Sequence, residues 1–333
     1  MKKRILLALF LALCVTLALC ACGDNEDTEP SGKDSTTNTS SVDNSKTESK
    51  PDADNGNGDT NNEGNSDENG SEGSKGYSRG LKYSLNKDDT YRVVGIGTCK
   101  DTNIIIPSEH EEKPVTSIDE YAFSRCTSLT IVVIPKGVTS IGKGAFRECT
   151  SLKSVVIPEG VTSIGNQAFS SCTSLPRIVL PESVTSIADN VLTDCTSLTT
   201  IEVAANNTAY MSIDGNLYTE DGKTLIQYAI GKGATQFVIP KSVTSIGAYA
   251  FYDCTSLTSI VIPKGATSIG NGAFQNCTSL KSVVLPEGVT SIDSYAFYDC
   301  TSLTIYCEVT RKPNGWHVYW NLSNRPVEWG YKG

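Results

Sequence analysis

Ile134-Pro135-Lys136-Gly137-Val138-Thr139-Ser140-Ile141-Gly142-Lys143-Gly144-Ala145-Phe146-Arg147-Glu148-Cys149-Thr150-Ser151-Leu152-Lys153-Ser154-Val155-Val156 is one unit of a repeated text. Its Cys-Thr-Ser-Leu segment occurs seven times, with cysteines at Cys126, Cys149, Cys172, Cys195, Cys254, Cys277 and Cys300. Five of the gaps are 23 residues and one, from Cys195 to Cys254, is 59. A fixed period of that size means stacked supersecondary units sharing one continuous core, a solenoid.

Each column of the unit has a physical role. In the unit around Phe169, the apolar or small residues Val155, Ile157, Val161, Ile164, Ala168, Phe169, Cys172 and Leu175 are the ones able to point inward. Corresponding positions stack, so Phe123, Phe146, Phe169, Phe251, Phe274 and Phe297 should form one aromatic ladder. Val155 to Ile157 has strand alternation, and Pro158 ends that strand. Gly142, Gly165, Gly247 and Gly270 fit a position of positive φ before a short helical turn through Ala-Phe-x-x-Cys. The expected fold class is therefore an α/β-type solenoid of short strands and short helical turns. Coils spaced like strands, roughly 4.8 Å apart, would give a body about 40 Å long.

The segments Leu-x-x-Val-x-Ile-Pro, Val-Thr-Ser-Ile-Gly and Ala-Phe-x-x-Cys-x-Ser-Leu together resemble the BspA-like leucine-rich repeats of bacterial surface proteins. The resemblance covers residues 77–333. Tyr91-Arg92-Val93-Val94-Gly95-Ile96-Gly97 with Pro114-Val115-Thr116-Ser117-Ile118 is similar to that family's N-terminal cap. Trp320-Asn321-Leu322-Ser323-Asn324-Arg325-Pro326-Val327-Glu328-Trp329-Gly330 is similar to its C-terminal cap. The resemblance implies cell-surface display and adhesion or ligand recognition, with no shared catalytic site. It divides the chain into an N-terminal cap at 77–114, repeats at 115–306 and an aromatic C-terminal cap at 307–333.

Ahead of the repeats, Lys2, Lys3 and Arg4 form a basic head and Ile5 to Leu19 is apolar. Leu19-Cys20-Ala21-Cys22 then matches the bacterial lipobox, so 1–22 reads as a lipoprotein signal peptide with Cys22 as the lipidated residue. Two acyl chains on one residue suffice for stable anchoring, which places the rest of the chain at the bacterial cell surface, outside the cytoplasmic membrane. Residues 23–76 are Ser, Thr, Asn, Asp, Glu and Gly with 14 acidic and 4 basic side chains, the composition of a disordered linker. Its root-mean-square reach is about 40 Å. The linker carries −10 of the chain's −9 formal charge and the signal +3, leaving −2 for the repeats. Nucleic-acid binding therefore has no electrostatic footprint.

The 59-residue gap departs from the period. Ala188 stands in the glycine column and Val191-Leu192 in place of Ala-Phe. Asn216 to Tyr228 reads as strand, Asp-Gly turn and strand, so the extra 36 residues read as an inserted hairpin near 205–235 that projects from the solenoid, plus a degenerate coil. It is compatible with inert variation and with a loop that contributes to binding.

Chemistry-bearing residues are sparse. The ladder cysteines read as small, buried, reduced thiols, with Cys99 and Cys307 outside the column. No Cys-x-x-Cys pair or histidine cluster points to zinc, and no metal or cofactor is expected. His110 and His317 lie near opposite caps, so a histidine-based catalytic triad is not expected and the chain reads as a non-enzyme. Asp214-Gly215-Asn216 does not continue into a calcium loop. Trp316, Trp320 and Trp329 crowd the last 18 residues, where they suit sealing of the final coil better than stacking on sugar.

The remaining candidate is the outward strand column Val133, Val156, Val179, Glu202, Val238, Val261 and Val284, flanked by polar Ser154, Arg177, Thr200, Ser259 and Ser282. A contiguous exposed apolar stripe marks a contact site. Strand propensity alone also favours valine there. The expected partner is an extracellular or host protein or a surface glycan. The rival reading is a self-assembling structural or spacer component of the envelope.

Overall fold

A computed structural model describes residues 76–333. Cys22, the signal segment and all of the acidic linker before Gly76 lie outside the described residues.

Each coil contributes two short parallel strands, one to each wall. On the first wall Lys113–Ile118, Ser140–Ile141, Ser163–Ile164 and Ser186–Ile187 pair in succession, Ser and Ile each meeting their counterparts one coil away. The wall resumes with Thr224–Gln227, Ser245–Ile246, Ser268–Ile269 and Ser291–Ile292. On the second wall Asn103–Ile105, Ile131–Val133 and Ser154–Val156 form one run. Arg177–Leu180 pairs with Thr200–Val203, and Gln236–Val238, Ser259–Val261, Ser282–Leu285, Thr304–Cys307 and Val327–Trp329 form the last run. Pro176 accounts for one break. It stands where Lys153 and Thr199 donate a backbone N–H to the preceding coil, and proline has none to give.

Between the walls, Phe123, Phe146 and Phe169 stack at 5.2 and 5.3 Å, and Phe251, Phe274 and Phe297 at 5.1 and 5.3 Å. All six rings are fully buried. The second run begins one rung earlier than the repeat text, because Tyr228 stacks on Phe251 at 5.2 Å and donates its N–H to Ala250 O as each phenylalanine does to the next coil. Gln227-Tyr228 is thus the Ala-Phe of a disguised coil.

The expected helical turn is absent, and with it the α/β description. Among the described residues the one helix is a single 3-10 turn at Ile230–Lys232. In the quoted unit Ala145, Arg147 and Cys149 donate back to Gly142, Gly144 and Phe146, closing tight turns. The alternating donors Gly144, Phe146 and Glu148 reach forward to Asn166, Ala168 and Ser170 of the next coil. Left-handed backbone makes this alternation possible, at Gly144 (φ 57°) and Glu148 (φ 60°). A helix would use every N–H internally and leave the coils unstitched.

The glycine expectation is corrected by the same finding. Gly142, Gly165, Gly247 and Gly270 are not among the positive-φ residues. They stand where coils approach closely: a Cβ on Gly165 would lie 2.6 Å from Lys143 N. The left-handed positions come two residues later and again just before the cysteine, filled by Tyr121, Gln167, Asn190, Tyr249 and Tyr295 and by Arg125, Ser171, Asp194, Asp253 and Asp299.

The insertion lies in the wall and does not project from it. Tyr210–Ile213, Asn216–Thr219 and Thr224–Gln227 form an antiparallel meander whose last strand pairs in parallel with Ser245–Ile246. Asn216, Leu217 and Tyr218 are buried. The strand separates two sections of core, Leu217 packing with the first and Tyr218 with the second. At the far end Trp320 meets Phe297 edge-on at 6.0 Å, and Trp316 Nε1 donates to Val289 O at 3.0 Å.

Candidate functional site

The outward column is assembled by register. Ile105, Val133 and Val156 are aligned across three strands, Val179 faces Glu202, and Val238 faces Val261. Ser259 pairs with Ser282, which brings Val284 alongside Val261, and Val284 in turn faces Tyr306. Side chains alternate across a strand, so burying Val132, Ile178, Ile260 and Val283 turns these neighbours to solvent.

The column is not uniform. Val238 is 67% exposed and Val261 51%, whereas Val133, Val156, Val179 and Val284 are half-buried. Glu202 is half-buried and paired with Arg177 at 3.2 Å, so the first half of the face ends in a charge pair. Beyond it the free edge of Thr200–Val203 is occupied from the meander: Ile201 N–H donates to Gly215 O at 2.9 Å, and the Ser212 hydroxyl donates to Ile201 O at 2.6 Å. The valine face is therefore two patches, and the second is the more exposed and runs into Tyr306, 4.9 Å from Tyr331.

A second strip, of tyrosines, is half-buried at Tyr249 and Tyr252 and exposed at Tyr295, Tyr298 and Tyr319, and its role is not evident from the repeat text. Tyr249 and Tyr252 meet at 5.9 Å, Tyr295 and Tyr298 at 5.9 Å, and Tyr319 stacks on Tyr295 at 6.4 Å. The signal was the repeated Tyr-Ala-Phe-Tyr at 249–252 and 295–298, whose outer positions flank the buried Ala-Phe. The rings of Tyr121 and Tyr249 lie across Gly144 and Gly272 of the next coil, where a Cβ would come within 2.5 and 2.6 Å of them.

The polar chemistry is structural. Thr139, Thr162, Thr267 and Thr290 each donate a hydroxyl to the carbonyl of the threonine one coil earlier. The nine cysteines of the described residues are free thiols, all buried except half-buried Cys126. Desolvation holds the Cys149, Cys195 and Cys307 thiols up at about 12. Such thiols are protonated and poor nucleophiles or metal ligands. His110 stacks on Tyr83 at 3.9 Å near one end, while His317 joins Tyr319 at the other. Among the described residues no group of three or more His, Cys, Asp or Glu is placed to hold a metal ion.

The sequence profile of the BspA type leucine rich repeat region matches residues 97–218 and 230–310, in six copies. The chain belongs to the BspA-type leucine-rich-repeat family. No curated protein matches this BspA-type chain in sequence. Among solved structures it is similar to the pneumococcal vaccine antigen PcpA, at 21% identity and a TM-score of 0.56. That likeness covers 68% of this chain and spans 65% of the PcpA chain, and it is a likeness of fold. A T. pallidum leucine rich repeat protein is 29% identical over 67% of this chain and 88% of its own, with a TM-score of 0.42. A leucine rich cell surface protein of Faecalibacterium prausnitzii A2-165 is 25% identical over 77% and 94%, with a TM-score of 0.37.

Proposed function

We propose that this BspA-type protein is a non-catalytic, extracytoplasmic binding protein whose valine-centred strand face receives a macromolecular partner. The observation that carries the reading is the side-by-side exposure of Val238 and Val261 on paired strands. Two adjacent β-branched side chains held open on a rigid wall expose apolar surface that burial against a partner would remove from water. The polar column beside them, Ser259 and Ser282, supplies hydroxyls for the rim of such a contact. Membership of a solenoid family supports a binding role over catalysis, since a solenoid's repeats build extended surfaces. The basic head at Lys2 to Arg4, the apolar run and Cys22 support display outside the membrane on a lipid anchor.

The test is capture by the full chain of matrix proteins, cell-wall glycans and proteins from culture supernatants, repeated with polar substitutions at Val156 and Val261. Loss of capture with unchanged thermal melts supports the face. Retained capture in both variants rules it out as the site. Sedimentation over a range of concentrations separates the self-assembly reading, because a partner-binding monomer stays monomeric when concentrated.

A further inference from the structure

The insertion leaves a seam in the first wall. Elsewhere each Ser-Ile strand is paired with its successor. At Ser186–Ile187 no successor strand pairs among the described residues. The Ile187 N–H instead donates to the Tyr210 hydroxyl at 2.8 Å. Behind that seam lies a cavity of ≈ 240 Å³. Its apolar lining includes Ile178, Leu180, Ile187, Leu192, Leu217 and Ile226. The small residues Ala188, Gly247 and Ala248 leave the space unfilled.

One polar side chain in this wall stands out. Asn190 Oδ1 is buried and has no hydrogen-bond partner. Tyr249 from the next full coil interacts with the Asn190 side chain, yet Oδ1 itself is left without a partner. A buried carbonyl oxygen left unmatched is costly, and a donor that reaches it is correspondingly favoured. Rotation about the soft χ2 torsion of asparagine turns the oxygen toward a donor in the cavity. The lining contains no Lys or Arg, and exposed Asp189 flanks Asn190, which disfavours an anion. In size, an apolar cavity of roughly 150 Å³ takes up benzene, so this larger one suits two fused rings.

We propose that the seam cavity binds a neutral two-ring aromatic of indole size whose single N–H donates to Asn190 Oδ1. The site is independent of the valine face, and its failure would leave that reading untouched.

The test is calorimetric titration of the full chain with indole, and with indene, which keeps the shape and lacks the N–H. Indole is expected to bind saturably, one per chain, and about tenfold more tightly than indene. Asn190→Gly, tolerated by the left-handed backbone at φ 62°, should bring indole to the affinity of indene and leave indene unchanged. Ala188→Leu should abolish binding of both by filling the space. Indole-3-acetate should bind more weakly than indole. The proposal is overturned by absence of saturable indole binding, by equal affinities for indole and indene, or by indole-3-acetate binding more tightly than indole. Should Ala188→Leu fail to fold, Asn190→Gly decides alone: an unchanged ratio of indole to indene affinity in that variant overturns the proposal.

Discussion

The Cys172 thiol donates to the Phe146 carbonyl of the preceding coil at 3.2 Å. Cys149, Cys195, Cys277 and Cys300 make the same bond to Phe123, Phe169, Phe251 and Phe274 at 2.9 to 3.1 Å. The cysteine column therefore joins coils through sulfur–oxygen bonds and is more than small apolar filling. Each phenylalanine carbonyl involved also accepts from the cysteine N–H of its own coil, as Phe146 does from Cys149.

Such thiols should be silent in the folded protein. Alkylation of the full chain with iodoacetamide, mapped by peptide mass spectrometry, is expected to label Cys126 first among residues 76–333. Cys172 and Cys277 should react only in denaturant; rapid labelling of either in the native state contradicts the arrangement. The pH dependence has a definite sign. Burial raises Cys149 and Cys195 from the ordinary 9.0 to about 12. Their contribution is fully present below pH 9 and is lost as pH rises toward 12, because the unfolded chain ionises first. Melts across pH 8 to 11 should therefore show stability falling, where carboxylate titration is already complete.

The left-handed columns predict a split between two substitutions at one site. Gln167 holds φ at 57°. Gln167→Gly should leave the urea midpoint unchanged or raise it, since glycine adopts this conformation without Cβ strain. Gln167→Val should lower stability by about 1 kcal/mol, because β-branching adds to the left-handed steric cost that glutamine already bears. A valine variant as stable as its parent would refute the turn geometry.

How much of this was legible depends on whether a signal lay in composition or in geometry. The period set the phenylalanine ladder because identical side chains one coil apart must stack. Glycine was a misleading cue: at Gly165 the residue answers a close approach between coils, and the left-handed position is filled two residues later by Gln167, where nothing in the residue type announces it. The turn through Ala-Phe-x-x-Cys was read as helical because its local spacing is helical. Its N–H groups are divided between two coils, which no single-coil pattern reveals. Tyr228 was hidden because Gln227-Tyr228 carries neither Ala nor Phe, though it lies 23 residues before Ala250-Phe251. Of the valine column the positions were legible, but not the unequal exposure, which depends on what the neighbouring strands cover.

Asp194 and Asp253 are half-buried carboxylates, and the charge of Asp253 is felt at Asp194. Burial raises both carboxyl pKa values, and the Asp253 charge raises Asp194 further, partly offset by the Ser171 hydroxyl at 3.5 Å. A folded pKa above the ordinary 3.8 contributes stability below that value and loses it as pH rises through the folded one. At neutral pH the ionised pair thus weighs against the fold. Asp194→Asn keeps a residue suited to its φ of 59° and removes the charge. Its melting temperature should exceed the parent's at pH 7, with the advantage shrinking as pH falls toward 4. A lower melting temperature at pH 7 would contradict the coupling.

Asn207 closes the coil that enters the meander, and it does so by replacing the valine that the period calls for, 23 residues after Val184. Its Nδ2 donates to Pro181 O and Val184 O, both at 2.8 Å, while Oδ1 accepts from Ala209 N at 2.9 Å and Tyr210 N at 2.8 Å. The side chain is buried with every bond met. Asn207→Val restores the repeat text yet strands two backbone donors and deprives two carbonyls. The expected loss is about 2 kcal/mol or more, read as a lower urea midpoint. Because Asn207 also fixes the start of Tyr210–Ile213, the same variant should free the Ile187 amide from the Tyr210 hydroxyl. Faster hydrogen exchange at Ile187 would register that release, and an unaltered exchange rate would show that the meander is held by its strand pairing alone.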